Sequence, residues 1–318
     1  MSLTLILVSF YLGAVGISPI KPLGREGVKD VVCLLVGPFD ERSLPQGKTV
    51  RQILDDFKPD LAEWSIIHSP KYREQLGKLP YYPGRIVGGI EYEGAPDEKN
   101  KAYWEPWKRM FGEPWKPTEE NGVAVDVKGR LVEIPGIFYC WRTCHNNPRW
   151  HRFQKESILR RVREWDVSVI RQDNIGVPVG ITKPGGFCRY CQEKFKEHLR
   201  RRYDAKQLRA LGIDHLSSFD FRKYVERKGY TKNPVAAIED PLVREFFYFL
   251  YRSNLEAWED IVNSVRRINP DLPICGNQGP AAFNPYSSII VSRSNDVIFL
   301  EHNLPWRWPF ERSSVRYK

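Results

Sequence analysis

The chain has 318 residues, 42% of them hydrophobic and 28% charged. That balance excludes a disordered segment, and the length excludes a small domain held by disulfides alone. The net charge of +10 comes from 49 basic and 39 acidic residues. These are interspersed, as in KESILRRVREWD, which reads as solvated helix faces, and no zinc-finger, RNP or P-loop motif is present. No specific nucleic-acid partner is expected, and no oligomeric state is read from the sequence.

In chain order, residues 1–20 read as a signal peptide or another N-terminal apolar segment. The run LTLILVSFYLGAVGI has small residues at Gly13, Ala14 and Gly16. It lacks a basic n-region and is too short for a stable membrane span. A secreted or cell-surface location is therefore favoured over a cytoplasmic one.

A strand–loop–helix unit then repeats. Strands are expected over 31–40, 60–67 and 84–94, with a helix over 49–57. Residues 95–123 are rich in Pro, Trp and Lys with little periodicity, and read as an irregular excursion of the functional kind. The stretch 123–140 reads as a hairpin turning at Lys128-Gly129. A helix beginning at Asn147 leads into a strand over 167–171 with the polar pair Asp173-Asn174 behind it. The helix over 240–269 has Asp240 as N-cap, Pro241 in its first turn and Asn269-Pro270 at its end. Strands over 272–279 and 296–303 follow.

Apolar strands alternating with helices imply a parallel sheet. Polar residues recur at the strands' C-terminal ends: Asp40, Glu91, Asp173, Asn277 and Glu301. That pattern, with no GxGxxG after the first strand, predicts a (β/α)8 TIM barrel over residues 28–318, irregular or incomplete toward its C-terminal end. Six strands are counted where a closed barrel needs eight. The remainder would come from the N-terminal run, the hairpin, or sequence beyond the chain's end.

Cleavage of a glycosidic bond needs two carboxyl groups flanking the anomeric carbon. Asp173 is the leading candidate, with Arg171 and Asn174 close enough in sequence to share its hydrogen-bond network. Trp64, Glu91, Trp141, Asn277, Gln278, His302 and Trp306 are candidates to line a sugar cleft. Amides, acids and Arg bind hydroxyls, and Trp faces stack on sugar rings, although most of the ten tryptophans are expected to be ordinary packing residues.

Cys140 and Cys144 stand before the fourth main strand, and Cys188 and Cys191 form a C-x-x-C after it. These four read as a closed structural zinc site, with His145 as a further ligand choice, or as disulfides. Cys33 and Cys275 read as core residues.

The segment VSVIRQDNIG resembles the fourth-strand motif of the clan D retaining glycosidases, typified by α-galactosidases. The resemblance implies Asp173 as nucleophile and Glu301, in VIFLEHN, as acid/base, where that clan usually has Asp. The segment FCRYCQEKFKEHLRRRY and the helix after it, roughly 165–303, resemble β-galactosidase-like barrels with a C-x-x-C helix after strand four. Those place an Asn-Glu pair at that strand, where this chain has Gln172-Asp173-Asn174. Together they imply a glycoside hydrolase that cleaves O-glycosidic bonds in an oligo- or polysaccharide and requires no cofactor for catalysis. A non-catalytic carbohydrate-binding or degenerate barrel is the alternative.

Overall fold

The computed structural model describes residues 34–35, 52, 61–62, 87–91, 94–95, 99, 101–134, 141–164, 169–173, 185–278 and 296–300. Its centre is a four-stranded, wholly parallel sheet. The strands are β3 (Val87–Glu91), β6 (Val169–Asp173), β7 (Ile274–Gln278) and β8 (Val297–Leu300), hydrogen-bonded in that order. A second parallel pair joins β1 (Leu34–Leu35) to β2 (Leu61–Ala62). The class is α/β, as the alternating pattern predicts.

Two long helices return the chain to the N-terminal ends of the strands. Helix α2 (Pro148–Glu164) precedes β6, and the final helix, Pro241–Ile268, precedes β7. The latter starts where expected. The Asp240 carboxylate accepts from the backbone N–H of Leu242 (2.8 Å) and Val243 (3.3 Å), filling two donors that a first turn leaves open. Pro241 occupies the first turn, where its missing N–H costs nothing. Leu242, Phe246, Phe249, Leu250, Trp258, Ile261 and Val265 recur at helical spacing and are buried.

Between β6 and that helix lies a helical module: α3 (Arg189–Arg202), α4 (Ala205–Ala210) and α5 (Phe221–Arg227), then a 3-10 turn over Ala236–Glu239. The long helix, here α6, packs on it through Phe195, Phe221 and Phe246, with ring centroids 4.2 to 5.2 Å apart. Each of these rings is at most 1% exposed. A fully buried ring of this size contributes about 1.5–3 kcal/mol.

The segment 95–123 differs from expectation. It contains an eleven-residue helix, α1 (Lys101–Phe111), with Pro106 inside it. Trp104, Trp107 and Phe111 fall at positions i, i+3 and i+7, one helical face that the charged and Pro-rich composition masks. Trp104 and Trp107 join Trp115, Trp150 and Phe153 in a second core. Trp104 stacks on Trp115 with centroids 4.0 Å apart and planes 2° from parallel. The Trp115 indole N–H donates to the Asn121 carbonyl at 3.1 Å. These tryptophans are therefore packing residues.

The expected turn at Lys128-Gly129 is present. Gly129 adopts φ +79°, and its N–H bonds to the Asp126 carbonyl. The hairpin is part of a small antiparallel meander, bridged at Val125–Leu131, Glu133–Trp141 and Val123–Thr143. Within it, β5 (Trp141–Arg142) pairs antiparallel with β4 (Gly94–Ala95).

Candidate functional site

The register of the sheet aligns the polar strand ends. Glu91, the last residue of β3, pairs with Asp173, the last of β6. The strand expected over 167–171 is found at Val169–Asp173, so Asp173 closes the strand rather than entering the loop. Arg171 pairs with Gly89 on one side and Cys275 on the other. Asn277 and Gln278 close β7, opposite Phe299 and Leu300 of β8. Glu91, Asp173, Asn277 and Gln278 thus share the C-terminal edge of one parallel sheet, where α/β folds collect ligands. Glu301 is the next residue after β8 and lies outside the described residues, as do Trp64, Asn174, His302, Trp306 and Cys140.

Trp141 sits at the same end, since β4 begins three residues after Glu91. It is half-buried and packs against the tryptophan core.

The same end carries a cluster of sulfur atoms. Cys144 follows β5, Cys188 is the N-cap of α3, and Cys191 lies in its first turn. The Cys144 Sγ is 3.2 Å from that of Cys188 and 3.4 Å from that of Cys191. All three thiols are free and buried. The Asn146 amide donates to Cys191 Sγ (3.3 Å) and to Ser253 Oγ (3.2 Å). The Cys191 N–H points at Cys188 Sγ from 3.4 Å. Gly185 and Gly186, at φ +112° and +89°, turn the chain into this site. A side chain at Gly186 would press on Leu250 and Phe246 of α6. The Phe187 N–H bonds to the Val125 carbonyl, so the site ties the loop after β6 to the meander after β3.

The three thiols differ in their electrostatics. Hydrogen bonds from Cys188 and Cys191 hold the Cys144 thiol well below its usual pKa. Their hydrogen bonds to Cys144 push Cys188 and Cys191 well above theirs. The three sulfurs lie within 4.8 Å of one another, and no other His, Cys, Asp or Glu among the described residues joins the group. His145, read from the sequence as a further ligand choice, is not in it. Burial drives its pKa down to about 3, so the imidazole is neutral. Three buried soft donors around one point suit a thiophilic cation such as Zn²⁺.

A third feature was not legible as a unit. Glu245 of α6 is buried and accepts from Tyr203 Oη (2.6 Å), His198 Nε2 (2.5 Å) and Arg202 Nε (3.0 Å). Each partner comes from the end of α3 or its cap, so this carboxylate anchors α3 to α6.

No protein-family model matches the chain. Solved structures do. A β-galactosidase from Bacillus circulans sp. alkalophilus superposes with a TM-score of 0.54 at 13% identity, over 90% of this chain and 42% of that one. In fold, the chain is glycoside-hydrolase-like. The GH42 β-galactosidase Gan42B from G. stearothermophilus gives 0.54 at 12% identity, over 88% and 41%. The β-galactosidase from Marinomonas ef1 gives 0.54 at 11%, over 89% and 43%. In sequence, 100 residues are 28% identical to an α-agarase from Thalassotalea agarivorans and 27% identical to one from Alteromonas agarilytica. Each of those matches takes 28% of this chain and 7% of the agarase. The chain spans less than half of the solved β-galactosidases and a small part of the agarases. No helix among the described residues is long and apolar enough to cross a membrane.

Proposed function

We propose that this chain is a glycoside hydrolase barrel acting on a galactose-containing polysaccharide of the agar type. The observation that carries the reading is Asp173 at the C-terminal end of β6, beside Glu91, on a sheet whose fold matches β-galactosidases. The four parallel strands are read as part of an eight-stranded barrel. The α-agarase matches favour a galactan over other polymers.

In this reading Asp173 and Glu301 form the chemical pair. One carboxylic acid gives its proton to the glycosidic oxygen as the bond to the anomeric carbon breaks. The other carboxylate meets the positive charge developing at that carbon, as nucleophile or as base for water. Glu91, Arg171, Asn277 and Gln278 bind sugar hydroxyls along the strand ends, with Asn174, His302 and Trp306 from the loops. No cofactor enters the chemistry.

Cys144, Cys188 and Cys191 hold a structural zinc, with Cys140 as the fourth ligand. Bound there, the ion supplies cohesion, fixing the loop after β6 to the meander after β3. A polymeric substrate fits an exported enzyme, with residues 1–20 as the export segment.

The test is a screen of purified protein against agarose, porphyran and aryl α- and β-galactosides, read as new reducing ends. Release from a galactan is the expected result. Glycan binding with no turnover on any of them would replace the enzyme reading with that of a carbohydrate-binding barrel.

A further inference from the structure

We infer that Arg244, Tyr248 and Arg252 of α6, with Arg202 laid across Tyr248, form a docking strip for an acidic polysaccharide outside the cleavage site. The inference rests on the carbohydrate reading above and adds to it a substrate charge and a second place of contact.

The strip is visible in the contacts. Arg244, Tyr248 and Arg252 stand at i, i+4 and i+8, which lines them along one helix face with about 6 Å between successive Cβ atoms. Arg244 is exposed, and the large ring of Tyr248 is 37% exposed, against 9% or less for every ring in the neighbouring core. The Arg202 guanidinium lies 4.9 Å from the Tyr248 ring centroid, and the His198 ring lies 6.0 Å from it. The Arg202 guanidinium thus lies over the Tyr248 ring, and the part of the ring left exposed adjoins a cation. Such a surface can take the apolar face of a sugar ring while guanidinium groups fork onto sulfate or carboxylate substituents.

The acids nearby offset part of this charge, at Arg202 and Arg252, and leave Arg244 outside any ion pair among the described residues. Glu245 is buried and saturated by His198, Tyr203 and Arg202. Asp204 is spent capping α4, accepting from the Gln207 N–H. Glu256 pairs with Arg252 at 3.1 Å, and this pair is exposed. Glu197 lies one turn before Arg200 and Arg201, which are themselves exposed at the end of α3. Residues 189–232 hold thirteen Lys and Arg against six Asp and Glu, so most of the chain's positive excess sits on this module.

The strip also has a useful location. Helix α6 carries the chain from the C-terminal side of β6 back to the start of β7. Its 28 residues span about 42 Å, whereas a five-residue strand spans about 17 Å. Its first half, which bears the strip, therefore rises beyond the edge that holds Glu91 and Asp173. An acidic chain held there lies toward the end of the sheet that carries Glu91 and Asp173.

The experiment is native affinity electrophoresis through gels containing λ-carrageenan, agarose or double-stranded DNA at matched salt. The variants are Arg244→Ser/Arg252→Ser, the charge-preserving Arg244→Lys/Arg252→Lys, and Tyr248→Ala, each checked for an unchanged melting temperature. Arg202 is left intact, because removing it would strand the buried Glu245. We expect carrageenan to retard the parent protein more strongly than agarose, which the cleavage site alone would hold. The apparent Kd should rise at least fivefold in the Ser variant and in Tyr248→Ala, and less in the Lys variant. Unretarded parent protein, or variants retarded like the parent, would overturn the strip. Equal retardation by DNA, lost in the same variants, would reassign it to nucleic acid. The assay reads binding alone, so hydrolysis of a short neutral oligosaccharide tests the catalytic reading separately.

Discussion

Glu91 and Asp173 are register partners at the ends of two adjacent parallel strands. Neighbouring strands run about 4.8 Å apart, so their backbones bring two acidic residues side by side on the sheet's C-terminal edge. Assigning Glu91 to hydroxyl binding and Asp173 to chemistry gives unequal losses. Glu91→Gln should lower kcat/KM by about 10- to 100-fold, mostly in KM. Asp173→Asn should cost on the order of 10³-fold or more, in kcat. Equal kcat losses would make Glu91 a member of the chemical pair, and the anomer released, read by NMR, would then show retention.

The sulfur cluster predicts a metal-dependent stability. Purified protein should carry about one zinc per chain, and Cys144→Ser or Cys188→Ser should lose it. Ligand loss should lower the melting temperature by several degrees, since a cation present at about 100 times its Kd stabilises by about 2.7 kcal/mol. Metal-free parent protein that melts identically with and without a chelator would rule the site out.

Asp240 carries a pH dependence. Burial raises its pKa, but hydrogen bonds from Tyr224 (2.6 Å) and Tyr230 (2.8 Å) and from two backbone N–H groups outweigh this, leaving it below its ordinary 3.8. A depressed folded-state pKa means the stabilisation is present above that ordinary value. It is lost as pH falls through the folded-state value. Asp240→Ala removes a cap worth about 1 kcal/mol and leaves two tyrosine hydroxyls without their acceptor. Urea unfolding at pH 7 should show a loss of about 2–4 kcal/mol, and the difference from the parent should shrink below pH 4.

How much of this was legible depends on what signals the residues carried. The α6 boundaries were readable because Asp240-Pro241 and Asn269-Pro270 are local devices flanking a clean apolar stripe. The hairpin was readable because Gly129 must supply a positive φ. Helix α1 was not, since Pro106 and the charged residues obscure Trp104, Trp107 and Phe111. Its existence rests on tertiary contacts with Trp115 and Trp150. The C-x-x-C spacing made Cys188 and Cys191 readable as a pair, and Cys144, over forty positions away, was expected beside them only because the two cysteine pairs flank β6, whereas the exclusion of His145 depends on where the chain turns after β5. The Glu245 anchor joins residues over forty positions apart, which no local pattern signals.

The tryptophan core offers a test of that packing. At Gly122, φ is +99° and a Cβ would collide with Trp150. Gly122→Ala should therefore destabilise by about 1–3 kcal/mol. Trp107→Ala, which empties a fully buried site, should cost about 3–5 kcal/mol. Both are read by urea unfolding, and near-UV circular dichroism should lose the signal of the stacked Trp104–Trp115 pair. Parent-like stability in Trp107→Ala would contradict the assigned core.

The central claim is that Asp173 performs glycosidic chemistry. The direct measurement is the rate of reducing-end release from a galactan by the parent protein and by Asp173→Asn at equal, verified folding. The account predicts turnover by the parent and a fall of about 10³-fold or more in the variant, with galactan binding retained. Hydrolysis by Asp173→Asn at the parent's rate would contradict it.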